Sequence, residues 1–210
     1  AEAPAPGSLV ITEVMTNPRY VTPGNGEWIE VTNVSGKTVN LNGLEVSSSG
    51  AQGFTVSDNF FLGAGDAAVI ASDTNNAGLP RVDVTYDAAL LPLGNSSDDV
   101  TIGFEGTQID TASFSATWGK SAQLNPATLN ATANDSSGAW CTPVSAYGSG
   151  NLGTPGQAND SCPAALGALV PGDLIVSELM IDPLATRRGE WIEGQNLSDW
   201  RIDLNGLEVA

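Results

Sequence analysis

Short apolar bursts separated by Gly, Asn, Asp and Pro run along this chain, and within most of them the pattern repeats every second residue. Leu9–Met15 is apolar on both faces except at Thr12 and Glu13, and Asn17-Pro18 closes it, which predicts a first strand. In Gly26-Glu27-Trp28-Ile29-Glu30, alternation puts Trp28 and Glu30 on one side of an extended backbone. Glu27, Ile29 and Val31 fall on the other, so both faces carry a large apolar group. Turn residues from Asn33 to Gly36 follow after too few positions for an ordinary helix, and the pattern predicts a strand inside a sandwich. Val39 to Val46 is predicted as one strand, with Leu41 sharing the parity of Val39, and Leu44 and Val46 taking the opposite one. Gly43 between them is the natural place for a bulge.

Further short strands are predicted at Gly53–Val56, Phe60–Leu62, Ala67–Ala71 and Val82–Tyr86. Asp98–Phe104 and Thr107–Phe114, joined by Glu105-Gly106, predict a hairpin. Strands this short and frequent predict an all-β sandwich or barrel. From Ser115 to Asp160 the pattern loosens into a long return rich in Gly, Asn, Ser and Pro, holding Trp118, Trp140 and both cysteines. Irregular segments of that length need fastening, here expected from a disulfide and two buried tryptophans.

Gly26-Glu27-Trp28-Ile29-Glu30 recurs letter for letter as Gly189-Glu190-Trp191-Ile192-Glu193. Leu174–Met180 falls on Leu9–Met15, and Leu204–Val209 repeats the pattern of Leu41–Val46. A tandem duplication accounts for this economically. The expected organisation is a flexible leader at 1–8, a sandwich at 9–162, a linker at 163–172 and an incomplete second repeat of about three strands at 173–210. Three strands alone leave Trp191, Ile192 and Trp200 facing water. Two explanations stand: the natural chain continues beyond this sequence, or the strands dock on the first domain or on a neighbouring chain.

Composition narrows the function. With 24 acidic against 7 basic side chains the net charge is -17, which repels a phosphate backbone and argues against nucleic acid. No apolar run has the length of a membrane span. The Ala/Pro leader fits a processed chain. Cys141 and Cys162 predict one disulfide and with it an oxidising, extracellular setting, secreted or at a cell surface.

The order of the Ile11-Thr12-Glu13-Val14 strand, the Asn17-Pro18 turn, Glu27 to Asn33, Leu41-Asn42-Gly43-Leu44, Leu62 to Asp66, Asp98-Asp99-Val100 and the closing Gly153 to Asn159 resembles the lamin-tail domain family. More specifically, it resembles the family's bacterial extracellular branch, over about Leu9–Asn159 and again over Leu174–Val209. The resemblance implies an immunoglobulin-like β-sandwich of the kind appended to secreted hydrolases and surface proteins. The DNA binding of nuclear members does not carry over to so acidic a chain, and the Cys141–Cys162 segment departs from the family's core pattern.

The sequence has no histidine, which removes the usual general base, the Ser-His-Asp arrangement and imidazole metal sites together. Glu27 and Glu30, on opposite faces of one strand, cannot flank a single bond. Glu13 and Glu30 approach only across neighbouring strands, where the expected role is to accept hydrogen bonds from a loop or to meet Arg19 or Lys37. Oxygen-rich turns at Asp58-Asn59, Asp73–Asn76 and Asn95–Asp99 are the candidates for calcium, although none has the regular spacing of a calcium loop, and no other cofactor is expected. Trp118 and Trp140, in loops, are the candidate ligand surface, whereas Trp28 is expected in the core. Six Asn-x-Ser/Thr sites include Asn33, Asn95 and Asn130. The expected function is a non-catalytic extracellular module for adhesion, targeting or attachment to a protein or cell-surface partner. The alternative is an accessory module of a secreted hydrolase that binds polysaccharide or calcium.

Overall fold

The computed structural model describes residues 1–49, 53–163, 169–182, 189–198, 201–205 and 207–208. They form two compact units, Ala1–Cys162 and Pro163–Ala210.

The first half of unit one supplies β1 (Leu9–Met15), β2 (Trp28–Asn33), β3 (Val39–Asn40), β4 (Leu44–Ser48), β5 (Gly53–Thr55), β6 (Phe61–Leu62), β7 (Ala67–Ser72) and β8 (Val84–Tyr86). The hairpin β9 (Ser97–Phe104) and β10 (Thr107–Ser115) comes next, then β11 (Ala122–Leu124), β12 (Trp140–Cys141), β13 (Ala146–Tyr147) and β14 (Asn151–Leu152) in the return. One sheet runs β12-β11-β1-β2-β7-β8 and the other β10-β9-β4-β5. β7 and β8 pair in parallel, whereas the other strand pairs among the described residues are antiparallel. Ile11, Ile29 and Ile70 of the larger sheet share one core with Val46, Ile102 and Phe114 of the smaller. Each such buried side chain contributes about 1.5–3 kcal/mol. The chain is therefore the all-β, immunoglobulin-like sandwich that the alternation predicts.

Three local features shape the faces of this sandwich. First, the register of β1 on β2 slips between Ile11 and Glu13, so Glu13, not Thr12, lies opposite Glu30. The bulge keeps Val14 in the sandwich core and lets Thr12 and Glu13 both serve the other face of the sheet. That outer face is also apolar: Met15, Trp28, Val69 and Ala71 pack there against Ala77 and Tyr147.

Second, Gly43 does not bulge a single strand over Val39–Val46 but separates two. At φ 87°, beside a turn closed by the Leu44 N–H on the Leu41 carbonyl (2.9 Å), it carries the chain from β3, paired with β6, into β4 of the smaller sheet. A side chain there would also meet the Phe104 ring.

Third, residues 1–8 lie along the sandwich, whereas their composition predicts a free leader. The Glu2 N–H donates to the Thr38 carbonyl (2.9 Å), the Asn40 N–H to the Glu2 carbonyl (2.9 Å) and the Gly7 N–H to the Ile109 carbonyl (3.1 Å). Pro4 is buried. Backbone pairing, which composition does not report, accounts for the difference.

Unit two contains a hairpin of β15 (Leu174–Met180) and β16 (Trp191–Asn196). Its register, Leu174 on Asn196 through Met180 on Trp191 with a slip between Val176 and Glu178, has the form of β1 on β2. Trp200 lies outside the described residues, and so do parts of the third strand expected over Leu204–Val209.

Candidate functional site

The outer face of the larger sheet carries an unusual group of buried acids. Glu13 and Glu30, paired across β1 and β2, are both inaccessible to solvent. The return segment reaches both. Glu13 accepts from the Ser121 hydroxyl, from the Thr154 N–H (2.9 Å to Oε1) and from the Thr154 hydroxyl (2.8 Å to Oε2). Glu30 accepts from the Thr12 hydroxyl (2.8 Å, Oε1) and from the Gly156 N–H (2.7 Å, Oε2). The Asn159 amide next in line donates to the carbonyls of Thr12 (2.9 Å) and Leu124 (2.8 Å). Burial raises both carboxyls above the ordinary range, and the nearby Glu13 helps push Glu30 up to about 8. Burial thus favours the uncharged form of Glu30. The expectation that these acids accept hydrogen bonds from a loop is met, while neither Arg19 nor Lys37 pairs with them.

Two more buried acids fasten loops in the same way. Asp110 on β10 accepts from the Ile11 N–H (2.7 Å) and the Asn134 amide (2.7 Å), and burial pushes it up to about 6. Burial likewise lifts Glu27 to about 7, with its Oε2 facing the Leu93 N–H at 3.4 Å. The sequence signal for Asp110 is an acid standing between Ile109 and Ala112, both buried. Cys141 and Cys162 form the expected disulfide, with Cα atoms 5.7 Å apart. Beside it, the Gln123 amide donates to the Asp160 carbonyl (2.9 Å).

Glu30 also floors a cleft of about 370 Å³ whose walls include Thr12, Thr32, Asp66, Arg81 and Asn159. Arg81 does not reach into it as a free cation, because its Nε donates to Asp83 (2.7 Å) and its Nη2 to the Ala67 carbonyl. Both Glu30 oxygens already accept from the fold's own donors. Glu13 does not line this cleft, so the Glu13–Glu30 pair does not face it together.

The two candidate tryptophans do different things. Trp140 is half-buried against Phe114, with its indole N–H on the Asn134 carbonyl (2.7 Å), so it works as a packing residue. Trp118, expected to be buried with it, is instead 57% exposed. The Arg19 guanidinium stands 4.4 Å from its ring centroid, and neighbouring Tyr20 is 74% exposed at φ 67°. A side chain at Tyr20 with that backbone conformation is strained, a state usually held by its surroundings. The holding contacts are the Arg19 N–H on Asn151 Oδ1 (2.7 Å) and the Gly119 N–H on the Asn17 carbonyl (2.7 Å). Gly119 leaves the space through which Arg19 passes to the indole. Trp28, as expected, is core, donating its indole N–H to the Tyr147 hydroxyl (2.9 Å).

Three side chains of the candidate calcium turns accept hydrogen bonds from residues outside them. Asp98 accepts from Ser49 and Gly94, Asn59 from Asn40, and Asn75 from Ala77. Among the described residues no three acids converge. Asn33, one of the Asn-x-Ser/Thr sites, is fully buried and donates to the carbonyls of Lys37, Leu62 and Gly63, while Asn95 and Asn130 are exposed.

The family model of the lamin tail domain matches residues 2–135. The chain belongs to the lamin tail domain family. Lamin tail domains are immunoglobulin-like and form a family of non-catalytic modules, which suits a site whose buried acids hold loops. The match takes in Glu13, Glu30, Asp110 and Ser121 but ends before Thr154 and Gly156, so the loop that closes over the lamin-tail strands lies outside it. No curated protein matches the chain.

Proposed function

We propose that this lamin tail domain is an extracellular, non-catalytic module that attaches to a protein partner through the surface built from Arg19, Tyr20 and Trp118. The observation that carries this reading is the exposed indole with a guanidinium 4.4 Å from its ring centroid. Arg, Tyr and Trp are the side chains that anchor protein interfaces most often, and here a strained backbone holds them together. The disulfide supports an oxidising compartment, and a net charge of -17 favours partners other than nucleic acid. No helix among the described residues is long and apolar enough to cross a membrane. The engagement of the buried carboxylates by loop donors supports a role without catalysis.

The flat Trp118 ring also supports the second reading, a polysaccharide-binding accessory module. One experiment separates them. Labelled chain is bound to envelope preparations of the producing cell that have been treated with protease or with periodate. Retention lost after protease, and lost in Trp118→Ala, supports protein attachment. Retention lost only after periodate moves the assignment to polysaccharide, and retention unchanged in Trp118→Ala removes this surface from the argument.

A further inference from the structure

Buried donors without acceptors gather beside one loop. Thr16 Oγ1, Arg19 Nε and Asn151 Nδ2 are buried and have no hydrogen-bond partner among the described residues. Thr16 directly precedes the loop at 17–20 that carries Arg19, and Asn151 is tied to that loop because its Oδ1 accepts the Arg19 N–H at 2.7 Å. The same bond orients the amide, so that its NH₂ end is the one left over. A buried donor without an acceptor is unfavourable, and an incoming acceptor relieves it.

The unpaired cations of unit one lie at the same place. Lys37 pairs with Glu2 and Arg81 with Asp83, whereas Arg19 and Lys120 meet no carboxylate among the described residues. A bridge between Thr117 and Lys120 closes the turn that carries Trp118, and the Arg19 guanidinium stands over the Trp118 ring. The chain has 24 acids for 7 bases, yet these two half-buried cations are left without one, so the acid they suit comes from outside. A guanidinium meets a planar carboxylate through a fork of N–H bonds, and Arg19 makes no such pair within the described fold. A phosphate, carrying more charge, meets more repulsion from a chain at -17 than one carboxylate does. We infer that Arg19, with Lys120, Asn151 and Thr16 beside it, binds an Asp or Glu carboxylate of an acidic peptide segment, with Tyr20 and Trp118 as the rim. The inference rests on the attachment reading for the kind of partner and adds the chemistry that recognises it.

The test titrates the isotope-labelled full chain at fixed ionic strength and follows the Arg19 Nε–H and Trp118 indole N–H resonances. The probes are the end-blocked tripeptide Ala-Glu-Ala, its neutral counterpart Ala-Gln-Ala, and glucuronate. The Glu peptide moves both resonances saturably, and the Gln peptide binds at least about tenfold more weakly, because only an ionised acceptor suits the fork. Arg19→Lys keeps the charge but not the fork; read at the indole, it weakens the Glu peptide about tenfold at unchanged Tm. Lys120→Gln weakens it about two- to threefold, the size of a partly exposed ion pair. Equal binding of the two peptides, unchanged affinity in Arg19→Lys, or an Arg19 resonance that does not move overturns the inference. Glucuronate held more tightly than the Glu peptide also overturns it and makes the occupant an acidic polysaccharide. The titration contains purified chain and no envelope, so it fails separately from the retention assay with Trp118→Ala.

Discussion

Glu13 and Glu30 stand directly opposite one another on β1 and β2, two carboxyl groups on one buried face, and the hydrogen bonds they receive come from neutral donors. Two like charges cannot both persist there without large cost, so one proton is retained well above the pH at which an exposed glutamate loses it. The folding of the return segment is thereby tied to protonation.

Stability should consequently fall as pH rises. Glu30 moves from an ordinary 4.5 to about 8 on folding, and Glu13 and Asp110 are also raised. The folded chain thus holds more protons than the unfolded one across that interval, so the contribution is complete below about 4.5 and is lost as pH climbs through 8. Tm measured from pH 5 to pH 9 should decline throughout, by about 2–4 °C for each kcal/mol lost. Glu30→Gln keeps a neutral donor and acceptor in place and should flatten the decline. An equal slope in the variant would assign the effect to general charge repulsion.

The loop donors should be worth measurable stability individually. Thr154→Val removes a hydroxyl that gives 2.8 Å to Glu13 Oε2 while keeping the volume of the side chain. Glu13, still buried, then holds one donor fewer. The expected loss is about 1–3 kcal/mol by denaturant titration, the range for leaving a buried acceptor short of a partner. Ser121→Ala should act in the same direction, and the two should not be additive because both serve one carboxylate.

The strands are legible in the sequence because short apolar runs bounded by turn residues mark them even where a sheet is buried on both faces, as at Trp28 to Asn33. The return segment is not. Its β11 has three residues, and its fastening depends on contacts more than a hundred positions apart, such as Thr154 with Glu13. The bulge at Thr12 is equally hidden, since a single-residue slip changes which face a side chain serves without changing the letters. Gly43 is readable as a break in parity, but not as the step that moves the chain between sheets. Trp118 shows the converse limit: a loop tryptophan reads either as a buried fastener or as a ligand surface, and its exposure with Arg19 against the ring is seen only in the fold.

Reducing the disulfide should cost about what loop closure suggests and still leave the return fastened. The Cys141–Cys162 separation of 21 residues corresponds to about 3 kcal/mol in the chain-entropy picture. Gln123 holds Asp160 from the other side, and Asp160 in turn accepts from the N–H groups of Val144 and Ser145 (2.7 and 2.8 Å). Those bonds keep the loop ends close in the native state without the covalent link. Cys141→Ser with Cys162→Ser should lower stability by about 2–3 kcal/mol yet leave a cooperative transition with unchanged strand content by circular dichroism. Loss of cooperativity would mean that the disulfide, and not the acid clamp, holds the return in place.

Tyr147 couples the end of the return to the repeated Glu-Trp stretch, so its hydroxyl should matter separately from its ring. The ring meets Trp28 edge-on, with centroids 5.9 Å apart at 79°, and the hydroxyl accepts the indole N–H at 2.9 Å. Tyr147→Phe keeps the edge contact and leaves a buried N–H unpaired, a loss of about 1–3 kcal/mol. Tyr147→Leu forfeits the aromatic contact as well, about 0.5–1.5 kcal/mol more. The order of Tm should therefore be wild type, then Phe, then Leu. Trp28 emission should change already at the Phe step, because its hydrogen-bond partner is gone while its packing is not. If Phe matches wild type in both stability and emission, the hydroxyl contributes nothing and the return is held to this face by the glutamate clamp alone.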